Sequence, residues 1–196
     1  MRLLAFSDIH RDLAQARRIA DRAAEADVVV AAGDFGSMRR GVAELIDMLV
    51  VVETPTLLVP GNNESLDELR DACGGWRAAH VLHGDGVSVD GVSFWGIGGG
   101  IPTTPWPWSW DLTEEEADAL VSSCPSDVDV MVLHSPPQGY LDGPRSLGSS
   151  ALLSAVERVQ PRVAVCGHIH ECAGSEASVG ATRLFNLGPD GRFIDV

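Results

Sequence analysis

Five short, largely apolar runs, each closing on an acid, an amide or an imidazole, constrain this chain more than any other feature of its sequence. Leu3 to Ser7 runs into Asp8 and His10, and Val28 to Ala32 into Gly33-Asp34. Thr56 to Val59 leads to Gly61-Asn62-Asn63-Glu64, Val128 to Leu133 ends at His134, and Arg162 to Cys166 opens into Gly167-His168-Ile169-His170. Continuous apolar runs of this length suit strands covered on both faces, and the loops after such strands collect on one edge of a sheet. The polar residues of five distant segments are therefore expected to meet.

Helical patterns fill the gaps between the runs. Asp12 to Ala26 places Leu13, Ala16, Ile19, Ala20 and Ala23 on one face, with Asp12 as N-cap, and Met38 to Val51 carries Val42, Leu45, Ile46 and Leu49 in phase. Further helices are expected over Ser65 to Cys73, Thr113 to Ser122 and Ser149 to Val159. Between Ala78 and Gly98 the text changes to strand, turn, strand, strand. There the turn signals Gly84-Asp85-Gly86 and Asp90-Gly91 predict antiparallel pairing, and the tail from Ala173 again reads as short strands. This layout predicts one α/β domain over residues 1–196, a two-layered central sheet with helices outside. The long irregular stretch from Gly98 to Trp110 holds Trp106, Trp108 and Trp110 at alternate positions. On an extended segment they share one side, either stapling the loop to the body or lining a substrate cleft.

Composition narrows the partners. The formal net charge is −14 and all 14 basic residues are arginine, which disfavours long nucleic acids, whose binding rests on clustered cations. No apolar run is long enough to cross a bilayer, the N-terminus lacks a signal-peptide core, and the four cysteines form no CxxC pair. A cytoplasmic protein without membrane insertion is the expectation.

One strand-end histidine or aspartate is more often a cap or a solvated group than a ligand. Seven in ordered succession read differently. Two divalent ions about 3.5 to 4 Å apart need a shared anionic bridge, for which Asp34 is suited, together with neutral ligands that leave open positions. Asp8 adds a carboxylate, while His10, Asn62, His134, His168 and His170 add donors suited to Mn, Fe, Zn or Ni, with Mn favoured. His168 and His170, two apart, point the same way in extended chain. Glycines 33, 61 and 167 let the backbone turn beside each ligand.

In this order the motifs DxH, GD, GNxE, a single His and GHxH resemble those of the calcineurin-like metallophosphoesterase superfamily, across nearly the whole chain. The resemblance implies a mixed, β-sandwich-like central sheet in a four-layer α/β/β/α fold. It implies one metal on Asp8, His10, Asp34 and His170, a second on Asp34, Asn62, His134 and His168, and a bridging water or hydroxide attacking phosphorus in line. Many relatives read GNH(D/E) where this chain reads Gly61-Asn62-Asn63-Glu64. Asn63 cannot donate a proton at neutral pH, though it can hydrogen-bond a phosphoryl oxygen, so Asp34 and Asn63 are the expected catalytic pair. The expected substrates are small phosphodiesters, nucleotide-like esters or activated monoesters. A non-catalytic, protein-binding scaffold of the same fold is the alternative. Glu64 reads as structural, an acid favoured by the dipole of the helix it begins. His80 and His83 match no ligand position.

Overall fold

Successive residues of the apolar runs face two different cores, and this alternation generates the layered architecture. In the computed structural model, which describes residues 1–196, β1 (Arg2–Phe6), β2 (Val28–Ala31), β3 (Thr56–Leu58) and β4 (Ala79–Val81) run parallel. The C-terminal β11 (Arg192–Asp195) pairs antiparallel with β1, giving the order β11-β1-β2-β3-β4. A second sheet has the order β5-β6-β7-β8-β10-β9, from β5 (Asp85–Val89), β6 (Val92–Ile97), β7 (Val130–Leu133), β8 (Val163–Cys166), β9 (Glu176–Val179) and β10 (Thr182–Asn186). Its inner strands β6, β7, β8 and β10 are parallel, with an antiparallel partner at each edge.

Leu3 and Ala5 of β1 point at the other sheet, joining Val28, Val30, Leu57, Val130, Val132, Val163 and Val165 in a core between the two. Leu4 and Phe6 point the opposite way, into a second core under α1 (Leu13–Arg22), α2 (Val42–Leu49) and α3 (Leu66–Cys73). The other side of the second sheet packs Met131, Leu133, Ala164 and Cys166 against α4 (Glu114–Val121) and α5 (Ser150–Val159). Because both faces are buried, the central strands read as unbroken Val, Leu and Ala. The result is the four-layer α/β/β/α arrangement. No helix is long and apolar enough to cross a membrane.

Helix starts follow local chemistry. Asp12 accepts from the Gln15 N–H, Ser65 and Thr113 each close a capping box with Glu68 and Glu116, and Ser149 accepts from Leu152 N–H. Each such cap contributes about 1 kcal/mol.

Three expectations need correction. The second helix begins at Val42 rather than Met38, because Met38, Arg39 and Gly41 take left-handed backbone angles and form a turn in which Asn63 accepts Met38 N–H and Arg39 N–H. Gly84-Asp85-Gly86 does not reverse a hairpin. β4 pairs parallel with β3, and the chain then crosses to the second sheet to start β5, so only the Asp90-Gly91 turn joins antiparallel neighbours. The His168–His170 segment is not extended: His168 has φ 66° and His170 opens a 3-10 turn.

Candidate metal centre

The C-terminal ends of the parallel strands in both sheets meet along one edge, and the candidate residues lie there. Asp8 and His10 follow β1, Asp34 follows β2, Asn62 follows β3, His134 follows β7, and His168 and His170 follow β8. Asp8, His10, Asp34 and His170 bring one ligand atom each within 4.8 Å of one another, and Asp34, His134 and His168 form a second such group. His168 and His170 thus belong to different groups, the consequence of the turn between them. Asn62 joins the second group, its Oδ1 3.3 Å from His134 Nε2 and 3.1 Å from His168 Nδ1.

Asp34 is common to both groups, and its two oxygens divide between them. Oδ2 lies 3.7 Å from His10 Nε2, and Oδ1 lies 3.6 Å from His134 Nε2. Asn63 fixes this pose by donating its backbone N–H to Oδ1 at 2.8 Å and its side-chain amide to Oδ2 at 2.7 Å. Ring orientation is fixed in the same way. His134 Nδ1 donates to the Ala32 carbonyl at 2.8 Å and His10 Nδ1 to that of Gly36 at 3.2 Å, so each ring in its neutral form presents Nε2 as a lone pair. The Nε2 atoms of His10 and His170 face each other at 3.0 Å. Carboxylate oxygens and imidazole lone pairs converging on common points form a donor set that fits borderline divalent transition metals.

Four of the eleven non-glycine residues with positive φ are candidate ligands. Asp8, His10, Asp34 and His168 have φ of 55°, 48°, 60° and 66°, in the left-handed region where a non-glycine residue costs on the order of 1 kcal/mol or more. Of the three motif glycines only Gly33, at φ 87°, uses its conformational freedom. Gly61 and Gly167 supply space instead. A Cβ on Gly61 would sit 2.0 Å from Asp34 Oδ1, and one on Gly167 would sit 2.4 Å from Asp8 Oδ2.

Two supports take a form that the sequence reading did not foresee. Glu64 is fully buried and lies outside α3, which starts at Leu66. Its Oε1 accepts Asp34 N–H at 2.9 Å and Gly61 N–H at 2.7 Å, and its Oε2 accepts Gly36 N–H at 3.0 Å. The helix-dipole reading is therefore replaced by a brace tying the loop after β2 to the loop after β3. The second support is a relay into the tryptophan segment. Asn62 Nδ2 donates to Ser109 Oγ at 2.8 Å, and Ser109 Oγ donates to Asp111 Oδ1 at 2.6 Å. This relay turns Asn62 Oδ1 toward the histidines. Ser109→Ala removes the acceptor that distinguishes the two ends of the amide, and is expected to weaken metal uptake at the second group by roughly tenfold or more. Calorimetric titration of both sites checks this, and unchanged affinity at both would refute the relay. Glu64 was marked by the GNxE motif and read as structural, but its partners across the β2 loop were not visible; for the relay, Ser109 and Asp111 flanking Trp110 were the only available hint.

The electrostatics are those of opposed ligands in a small space. Burial raises the Asp8 carboxyl, but His170, the charge of His134 and the Ser7 hydroxyl more than reverse this and hold it at about 2. Burial and then the neighbouring charge of His134 push His168 down to about 4. His134 is lowered by burial yet ends raised, because Asp34 and Asp8 outweigh it, and His170 is raised chiefly by Asp8. Burial and the charge of Asp34 lift Glu64 to about 7, with the Gly36 and Gly61 N–H groups pulling the other way. A ligand must shed its proton to bind a cation, and a cation beside Asp34 acidifies Glu64, so raised values mean that affinity climbs with pH. Mn²⁺ addition at pH 7 is expected to release protons, read by calorimetry in buffers of differing ionisation enthalpy. Buffer-independent heats would contradict it.

His83 and His80 stay outside the centre: His83 accepts Gly98 N–H and packs on Trp110, and His80 is exposed. The four cysteines are free, and Cys73, Cys124 and Cys166 are buried.

A two-sheet α/β/β/α body with candidate metal-binding residues gathered at its edge is the hallmark of a class of hydrolases. The chain belongs to the calcineurin-like phosphoesterase superfamily, whose domain model matches residues 1–192. A UPF0046 protein of Caenorhabditis elegans is 30% identical over 95% of this chain and 69% of its own length. The human metallophosphoesterase domain-containing protein 1 is 34% identical over 66% of this chain, and the match spans only 39% of the human protein. Among solved structures, a dimetal phosphatase from Danio rerio shares the fold with a TM-score of 0.66 at 13% identity, covering 96% of this chain and 88% of the fish chain.

Proposed function

We propose that residues 1–196 act as one domain that hydrolyses phosphodiesters, or monoesters with good leaving groups, at a site holding two divalent ions, Mn²⁺ favoured. The observation that carries this reading is Asp34, fixed by Asn63 with one oxygen toward each ligand group. Asp8, His10, Asp34 and His170 would hold one ion, and Asp34, Asn62, His134 and His168 the other. Bound there, the ions would supply charge to neutralise phosphoryl oxygens and a water acidic enough to act as nucleophile near neutral pH.

The protein's own groups position and orient. Asn63 Oδ1 accepts Met38 N–H and one amide hydrogen goes to Asp34, which leaves the second amide hydrogen for a phosphoryl oxygen in the cavity that Asn63 lines. It has no proton to give a leaving group, so poor leaving groups gain no acid catalysis from it. Two donor groups that share Asp34 favour a metal-holding enzyme over a metal-free scaffold. The net charge of −14 favours small esters, nucleotide-like ones included, over long nucleic acids. Four free cysteines accord with a cytoplasmic setting.

The test is a Mn²⁺-loaded assay of bis(p-nitrophenyl) phosphate against p-nitrophenyl phosphate, extended to cyclic nucleotides. Diester kcat/KM is expected to exceed monoester kcat/KM by roughly tenfold or more. Equal values would remove the diester preference, and no transition metal bound at micromolar concentration would overturn the reading as a whole.

A further inference from the structure

The donors form only the floor of a cavity of about 760 Å³, a volume that suits a drug-sized ligand rather than a bare phosphoryl group. An apolar part of its wall comes from separate segments: Met38 after β2, Pro102, Pro105, Trp106 and Trp108 from the stretch before α4, and Leu147 before α5, while Arg145 and Glu171 add charged groups elsewhere on the lining. Only five large hydrophobic side chains of the chain are exposed, and three of them, Met38 (57%), Trp106 (50%) and Leu147 (40%), stand on this cavity. Scattered surface leucines need no explanation, but this convergence does.

The three tryptophans do not act together. Trp110 anchors the segment: its N–H donates to Asn62 carbonyl at 2.9 Å and its ring packs on His83 at 5.2 Å. Asp111 completes the anchorage by accepting Thr104 N–H and hydroxyl. Trp106 and Trp108 lie on a turn, their rings stacked with centroids 5.6 Å apart and planes 9° apart, and Trp106 keeps half its surface open. Since Trp110 and Asp111 secure the segment, the stacked pair is free to serve as a wall. Two parallel indoles present a flat π face beside the floor, and the flanking prolines limit how far that face can turn. A flat face is matched by a flat ligand, whereas a flexible chain would gain little from it.

We infer that this cavity receives phosphate esters bearing a planar aromatic group, stacked on the Trp106–Trp108 wall and flanked by Met38 and Leu147. The inference rests on the phosphoesterase reading for the position of the phosphoryl group. It makes Trp106 and Trp108 specificity-determining residues and small alkyl phosphates poor ligands.

Hydrolysis-inert phosphinates test binding apart from turnover. Benzyl(methyl)phosphinate, cyclohexylmethyl(methyl)phosphinate and dimethylphosphinate are titrated into Mn²⁺-loaded protein, followed by calorimetry and tryptophan fluorescence. The benzyl compound is expected to bind roughly tenfold more tightly than either of the others, a ratio within the range for stacking on an aromatic side chain. Trp106→Ala is expected to erase that preference and Trp106→Phe to keep most of it; Trp106 is surface-exposed, so both variants fold. Equal affinity for benzyl and cyclohexylmethyl ligands overturns the inference, as does a benzyl preference that survives Trp106→Ala and Trp108→Ala. If p-nitrophenyl esters are still hydrolysed without an aromatic preference, this inference falls and the phosphoesterase reading stands. An aromatic preference without hydrolysis of any ester has the reverse meaning.

Discussion

Asp34→Asn is expected to lower Mn²⁺-dependent kcat/KM by on the order of 10³-fold, because one substitution damages both ligand groups at once. Each oxygen of Asp34 has a distinct role: Oδ1 accepts Asn63 N–H and faces His134, while Oδ2 accepts the Asn63 amide and faces His10. An asparagine has one oxygen and one NH₂. Whichever way it turns, a donor meets an Asn63 donor across less than 3 Å, and one ligand group loses its only link to the other. With two cations bound, loss of the shared negative charge would leave their repulsion less neutralised, and each 1.4 kcal/mol is about tenfold in rate. Bound metal, counted by mass spectrometry after dialysis, is expected to fall below two per chain. Near-normal kcat/KM with two metals retained would show that Asp34 is not the bridge.

The candidate residues were legible because they obey local rules. A strand buried on both faces is a run of Val, Leu and Ala, and it ends where Asp8, Asp34, Asn62, His134 or His168 begins, so five strand ends could be marked without knowing which sheet each joined. Helix starts were legible for the same reason, since Ser65, Thr113 and Ser149 accept from N–H groups three residues away. Non-local relations were not. The sequence cannot show that β4 joins β3 while β5 crosses to the second sheet, because turn residues look alike whether they reverse a hairpin or pass between layers. It cannot show that Ser109 holds Asn62, 47 residues away, or that Trp110 anchors while Trp106 faces the cavity. Strict alternation put all three tryptophans on one side; the turn at Trp106–Ser109 separates them.

Glu64 shows how magnitude separates two readings of one residue. As an acid near a helix start it would contribute about 0.3–1 kcal/mol, and glutamine would nearly replace it. As the acceptor of three buried N–H groups it is worth far more. Glu64→Gln keeps one oxygen for Asp34 and Gly61 but turns an NH₂ toward Gly36 N–H. That donor–donor conflict is expected to cost about 1–3 kcal/mol, the scale for a buried group left without its partner. Glu64→Ala orphans all three donors and opens a cavity, so a loss of several kcal/mol is expected, lowering Tm by roughly 10 °C. Metal affinity should fall with it, because the orphaned N–H groups belong to Asp34 and to the loops on either side of it. Gly61→Ala attacks the same junction from the opposite direction: the added methyl meets Asp34 Oδ1 at 2.0 Å, so Asp34 must move although Glu64 is intact. Chemical denaturation with and without Mn²⁺ distinguishes the cases. If Glu64→Gln loses less than about 1 kcal/mol and binds metal normally, the helix-dipole reading is restored. If Glu64→Ala and Gly61→Ala both lose the metal-induced gain in stability, the junction of the loops after β2 and β3 is what holds the Asp34 carboxylate in place.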